Sequence, residues 1–198
     1  MIQQRTHYIE QMIDDMQRYL MSDTLFWPIR GSNYRGTLGG ILLRRAFLSM
    51  DFLQMSEEQR HHWDNLNDML STLLKTNAAL AEIKMLRELT ARHDMWATYV
   101  SLGVEAHPHF LDEIAAQARS RTCAQLVREY LVDLQDSITM DFQRLDLIFM
   151  SNSRSSHFLW NDQYQDHFPA INFPWLYREP ILKSPDPYRQ TLREGSDS

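Results

Sequence analysis

The sequence lacks most of the features that assign a chain quickly to a class of protein. Its only cysteine is Cys123, which excludes an intramolecular disulfide and is typical of a reducing compartment. The first fifteen residues contain no apolar segment of the kind that a secretion signal needs. The patterns GxSxG, HExxH, GxGxxG and paired CxxC do not occur. We therefore expect a cytoplasmic protein without a cofactor, and we favour a non-enzymatic protein over an enzyme.

Glycine, proline and positive charge are also scarce. With 6 Gly and 7 Pro among 198 residues, and abundant Leu, Met, Gln, Glu and Arg, the composition favours helices over sheets. The formal net charge is −6, whereas a nucleic-acid-binding domain usually presents a basic face. We expect a protein partner or a second copy of the chain, and no nucleic acid.

The most apolar stretch is residues 36–53, and it predicts the central helix of the fold. Its apolar side chains cover almost the whole circumference of a helix. Arg44 and Arg45 lie in its middle, so it does not qualify as a membrane span, which needs roughly 20 uncharged residues. Thr37 is the predicted N-cap.

Apolar periodicity and capping signals predict the other helices. Residues 56–102 contain no glycine or proline, but one straight helix of that length would span ~70 Å, so we predict a break near residues 75–77. Ser56 with Gln59, and Thr122 with Gln125, have the spacing of capping boxes. The predicted helices are Ile2–Met21, two helices within 56–102, Pro108–Arg119 and Cys123–Met150.

The composition changes after residue 150. The stretch from Ser151 to Phe158 resembles a linker, and the residues that follow combine many aromatic side chains with five prolines, a spacing that excludes helices longer than about three turns. The predicted fold is all-α, an irregular bundle of about six helices closed by an extended C-terminal segment. The predicted domains are a bundle over 1–150 and an arm over 151–198, with residues 184–198 at its frayed end.

Three arginines form a candidate anion-binding set. Between residues 24 and 50 there are four arginines and no acidic residue. Arg30, Arg35 and Arg44 lie near glycines and a helix N-terminus, features that attract anions. The favoured alternative is a turn followed by Gly39-Gly40, which would allow close helix packing.

A second candidate is an interior polar pocket. Arg45 lies on an apolar arc of the central helix and would need a buried partner. Asp141 is the first partner to test, and Glu82 and His93 are placed on the apolar face of their helix. A structural ion pair and a satisfied core histidine remain the simpler interpretations.

Possible metal ligands and nucleophiles are weaker candidates. Bundle di-iron sites need two ExxH motifs and further glutamates, whereas this chain has only Glu58 with His61 and the reversed pair His7 with Glu10. Cys123 lies near a predicted helix N-terminus, which favours a thiolate. The His107–Glu113 segment is explained by a turn entering a helix. We predict no metal site.

The aromatic C-terminal segment has two open interpretations. It is either a strap that closes the chain's own core or an arm that docks on a partner. The leading functional hypothesis is a non-enzymatic interaction protein, either an adaptor or an assembly protein. The alternatives are a bundle enzyme or ligand carrier and an arginine-mediated binder of an anionic ligand or acidic partner. The candidate partner-binding residues are Trp160, Phe173, Trp175 and Tyr177.

Overall fold

A computed structural model describes residues 1–104, 109–131 and 136–181. These residues are mainly α-helical with a few short strands, which confirms the predicted all-α class. No helix among them combines the length and the apolarity that crossing a lipid bilayer requires. The α-helices of this described part are α1 (Ile2–Met21), α2 (Leu38–Asp51), α3 (Glu57–Thr76), α4 (Ala78–Val104), α5 (His109–Asp112), α6 (Ile114–Tyr130) and α7 (Asp136–Ser151).

The chain divides into two compact units. The first unit is Met1–Asp94 with Ser120–Gln135, and the second is Met95–Arg119 with Asp136–Ser198. Two of the dividing points therefore fall inside helices α4 and α6. The predicted domain boundary after residue 150 lies within the second unit.

The first unit is built on α1, which packs against both α2 and α3. Helix α1 has the predicted bounds, and its apolar stripe is buried. Two short antiparallel strands, β1 (Trp27–Pro28) and β2 (Arg35–Gly36), lie between α1 and α2. Thr37 is the N-cap of α2, as predicted, because its side chain accepts a hydrogen bond from the Gly40 amide.

The break between α3 and α4 is also confirmed. Ser56 and Gln59 form the predicted capping box at the start of α3. Helix α3 ends at Thr76, and α4 begins one residue later, after Asn77. The capping box is a local signal, whereas the break was predicted from the length of the segment.

The predicted boundary at Thr122 is wrong. Helix α6 runs through it, and Thr122 and Gln125 are buried inside that helix. The Gln125 amide donates to Glu129 Oε1 at 2.9 Å, one helical turn ahead, rather than closing a capping box. The predicted helix Cys123–Met150 is in fact two helices, α6 and α7. Pro108, the predicted start of the preceding helix, and His107 lie outside the described residues.

The second unit has an aromatic core beside α7. Rings from α4, α5 and α7 are in contact, with Tyr99 and Phe110 centroids 4.7 Å apart. Part of the predicted linker is a strand, because β3 (Ser153–Ser155) pairs antiparallel with β4 (Arg178–Pro180). Between these strands the described chain forms only short 3-10 helices, Asp162–His167 and Pro174–Tyr177, so the predicted limit on helix length is confirmed.

Candidate functional site

The four residues predicted to line an interior pocket are not interior. Glu82 and Asp141 are exposed, and Asp141 belongs to the second unit. His93 is 27% exposed at its side chain, and its Nδ1 lies 3.3 Å from Asp94 Oδ1. Arg45 is half-buried and donates to Ser71 Oγ at 3.4 Å. The predicted pocket of Arg45, Glu82, His93 and Asp141 is therefore corrected: these side chains lie at the surface or near it.

Helix α4 does bury charged residues, but they are Glu88 and Arg92, which lie on a different side of the helix from Glu82 and His93. Glu88 is 0% exposed, and Arg92, one turn later, is also buried. The Arg92 Nη2 atom lies 2.7 Å from Glu88 Oε1, and its Nε donates to the same oxygen at 2.8 Å. The other carboxylate oxygen, Oε2, accepts from the backbone N–H of Gly39 at 2.9 Å. The N-terminus of α2 thus holds an anion, and that anion is the chain's own Glu88.

Arg92 also connects α4 to two other elements of the first unit. Its Nη1 donates to Ser120 Oγ at 2.9 Å, and its Nη2 donates to Thr37 Oγ1 at 3.1 Å. Burial opposes the charge of Arg92, but its interactions with Cys123 and Glu88 outweigh that effect and raise its pKa. The guanidinium therefore remains charged at every physiological pH. This buried polar network of Glu88, Arg92, Thr37 and Ser120 fixes how α2, α4 and α6 meet.

Tyr8 extends the buried polar network to α1. Its hydroxyl donates to the Arg35 carbonyl and accepts from the Thr37 N–H, both at 3.1 Å. The guanidinium of Arg44 lies over the Tyr8 ring, 3.4 Å from its centroid, and its Nη1 donates to the Gly40 carbonyl. Burial raises the pKa of Tyr8, with Arg44 acting in the opposite direction. The hydroxyl is therefore neutral at physiological pH.

The three predicted anion-binding arginines do not share one environment. Arg44 is buried against Tyr8, whereas Arg30 and Arg35 are exposed. Arg30 Nη2 lies 3.8 Å from Asp15 Oδ1, and a hydrogen bond from Trp27 lowers the pKa of that carboxyl.

The predicted packing role of the Gly39-Gly40 pair is confirmed. A Cβ at Gly39 would lie 2.5 Å from Glu88 Oε1 and 3.0 Å from Val127 Cγ2.

We expect Gly39→Ala to destabilise the first unit by about 1–3 kcal/mol, because the new methyl group would push the Glu88 carboxylate away from its amide donor. Chemical denaturation of the purified chain measures the loss. Ser49→Ala, an exposed change on the same helix, is the control and should be nearly neutral. Equal stability of the two variants would contradict the tight contact at Gly39.

The described residues of the first unit include two surface clefts. A cleft of about 420 Å³ between α1 and α3 is lined by Glu10, Glu58 and His62, among others. His62 Nε2 lies 2.6 Å from Glu10 Oε1 and so links the two helices. A shallower groove of about 360 Å³ between α2 and α6 has Arg45 and Glu129 on its walls. Within the described residues, no group of three or more His, Cys, Asp or Glu is arranged to hold a metal ion.

The four aromatic residues predicted to bind a partner pack within the second unit. Phe173 and Trp175 are buried, and their ring centroids are 5.8 Å apart. Trp160 is half-buried and packs edge-on against Phe168. The hydroxyl of Tyr177 donates to the Phe168 carbonyl at 2.8 Å. These contacts support the strap interpretation of the C-terminal segment.

The surface that the sequence reasoning missed is the outer face of α4, defined by Ala79, Ile83, Leu86 and Thr90 with Leu80 beside them. Leu80 is 38%, Ile83 50% and Leu86 41% exposed. The signal that could have revealed this face is the 4-3-4 spacing of its residues, which places all of them on one side of a helix.

These features define an all-α protein of two compact units, with a polar network buried in the first unit and an apolar helix face exposed on it. The chain matches no protein-family model, and no significant match is found among curated proteins or solved structures.

Proposed function

We propose that this chain is a non-enzymatic protein-interaction protein, an adaptor or assembly protein that binds a partner chain or a second copy of itself. The observation that carries the proposal is the outer face of α4, where three large apolar side chains lie exposed on one helix. Contiguous apolar surface of this kind marks interaction sites more often than isolated exposed residues do. A cytoplasmic location belongs to the same proposal, supported by the use of a single cysteine, Cys123, which is buried.

The energetics of this face suit reversible binding. Full burial of an Ile or Leu side chain contributes about 1.5–3 kcal/mol, and these side chains are already partly covered. Covering what remains of Ile83 and Leu86 therefore contributes roughly 1–3 kcal/mol together. The charged groups buried on the opposite side of α4 are already bonded within the chain, which supports a structural role for them.

We expect the double variant Ile83→Asp/Leu86→Asp to lose association while keeping its fold, because both side chains are exposed and carry little of the core packing. The full chain is immobilised, exposed to an extract of its source cells, and analysed by quantitative mass spectrometry. Light scattering on the free protein measures self-association in parallel.

The matched control is Leu147→Asp/Ile171→Asp, which places two aspartates at exposed apolar positions of the second unit. This control should associate as the unchanged chain does. The proposal fails if the unchanged chain binds neither itself nor another protein, or if the α4 variant retains every association.

A further inference from the structure

The outer face of α4 has the pattern of a short coiled-coil seam. Ala79, Ile83, Leu86 and Thr90 follow one another at intervals of four, three and four residues. At 100° per residue these positions fall within an arc of roughly 60°. In heptad terms Ile83 and Thr90 occupy a positions, and Ala79 and Leu86 occupy d positions. All of them lie within the first unit.

Opposite charges flank this seam. Glu82 precedes Ile83 at a g position, and Arg87 follows Leu86 at an e position, so they lie roughly 70° to either side of the seam. Both are exposed. Arg87 Nη1 is 3.2 Å from Asp23 Oδ1, but both side chains of that pair are largely solvent-exposed, and such pairs are weak.

We propose that the occupant of this face is a second copy of the chain, bound with the two α4 helices parallel and in register. Ile83 then packs against Ile83 of the second copy, and Leu86 packs against Leu86. Glu82 of each copy meets Arg87 of the other, which is the g-to-e exchange of parallel coiled coils. This inference rests on the proposed function and names its partner.

The flanking charges favour the parallel arrangement over the antiparallel one. In parallel coiled coils, a β-branched residue at a with leucine at d favours two strands, which agrees with a dimer. In an antiparallel pair the two copies of Glu82 would lie on one side of the seam and the two copies of Arg87 on the other, so the charge exchange could not form. The charges therefore set the orientation as well as the partner.

The contact is short, and the association is correspondingly weak. Residues 79–90 span ~16 Å along the helix axis, about three turns. Stable complexes bury about 1,200–2,000 Å² in total, and smaller interfaces form transient complexes. We expect a monomer–dimer equilibrium with a dissociation constant in roughly the micromolar range or weaker.

The test is sedimentation velocity on the full chain over a concentration series. Glu82→Arg and Arg87→Glu each replace two attractive contacts by two repulsive ones and should weaken the dimer about 10-fold. The double variant E82R/R87E restores both contacts with reversed signs and should return to within about threefold of the unchanged chain. A double variant weaker than either single variant would overturn the parallel register.

A cross-linking experiment tests the register independently. In the parallel dimer, residue 83 of one copy lies beside residue 83 of the other, so Ile83→Cys should form a covalent dimer under mild oxidation. Leu147→Cys, at an exposed position on α7, is the control for random collision. Cross-linking of I83C no faster than L147C would overturn the proposal.

One outcome distinguishes this inference from the proposed function. If the chain stays monomeric at every concentration while the outer face of α4 binds a different protein, self-association is overturned and the proposed function stands.

Discussion

Replacing Glu88 by alanine should reduce the free energy of unfolding by about 3–5 kcal/mol, one of the two largest effects expected for a single substitution in this chain. The change leaves the buried guanidinium of Arg92 without its carboxylate. It also removes the acceptor of the Gly39 amide at the start of α2. A buried charge without a partner costs far more than the pair itself contributes, which is why the loss is large.

Urea denaturation followed by far-UV circular dichroism measures this loss. Glu179→Ala is the matched control, because Glu179 accepts from Arg154 at 3.0 Å in an exposed pair of the second unit. An exposed pair contributes at most about 1 kcal/mol. If E88A cost no more than E179A, the buried polar network would not stabilise the first unit.

A second test distinguishes the loss of the whole Glu88–Arg92 ion pair from the loss of one partner. Replacing both members, as in E88L/R92M, removes both charges together and should recover much of the stability that E88A loses. Recovery would be incomplete, because Thr37 and Ser120 lose their bonds to Arg92. A double variant less stable than E88A would show that Arg92 does not depend on Glu88.

Trp175→Ala should destabilise the second unit by about 3–5 kcal/mol, because it removes a fully buried indole ring from an aromatic cluster. Trp175 is 2% exposed and packs against Phe173. A residue that only anchored a partner could be truncated without loss of stability in the isolated chain. The strap interpretation and the docking-arm interpretation therefore predict different results.

Thermal unfolding followed by circular dichroism measures the effect of W175A. Ile171→Ala is the control within the same segment, since Ile171 is 88% exposed, and it should change stability by less than about 0.5 kcal/mol. Unchanged stability of W175A, combined with the loss of a binding partner, would restore Trp175 as an anchor for another chain.

The helix caps could be predicted because they are encoded locally. The cap at Thr37 and the capping box at Ser56 each depend on residues within a few positions of one another. The break before α4 was predictable from length, because one straight helix over residues 56–102 would span ~70 Å. The role of Gly39-Gly40 was also predictable, because two glycines in an apolar helix indicate close packing. The break between α6 and α7 was not, since neither glycine nor proline occurs between Tyr130 and Asp136.

The orientation of α4 could not be derived from local pattern because its buried side carries Lys84, Glu88 and Arg92. Charged residues normally mark the solvent-facing side of a helix, and apolar ones the core side. The bonds that make these charges tolerable reach Thr37 and Gly39, far away in sequence. Glu82 and His93 were consequently predicted on the apolar face of the helix, although they lie at or near the surface.

The C-terminal segment shows a second reason why the sequence alone was not sufficient. Its aromatic content correctly required burial, but composition does not say against which surface. The pairing of β3 with β4 and the ring contacts around Phe168 place that burial within the second unit. The candidate interaction surface is therefore the outer face of α4 and not the aromatic segment.

Hydroxyl-radical footprinting of the purified chain, at low and high concentration, tests the role of the outer face of α4 most directly. We expect Ile83 and Leu86 to be modified in dilute solution, where they are exposed, and to become protected as the concentration rises. Leu89, which is fully buried on the same helix, should stay unmodified, and exposed Ile171 should stay modified throughout. Modification of Ile83 and Leu86 that is absent in dilute solution, or unchanged at every concentration, would contradict self-association through this face.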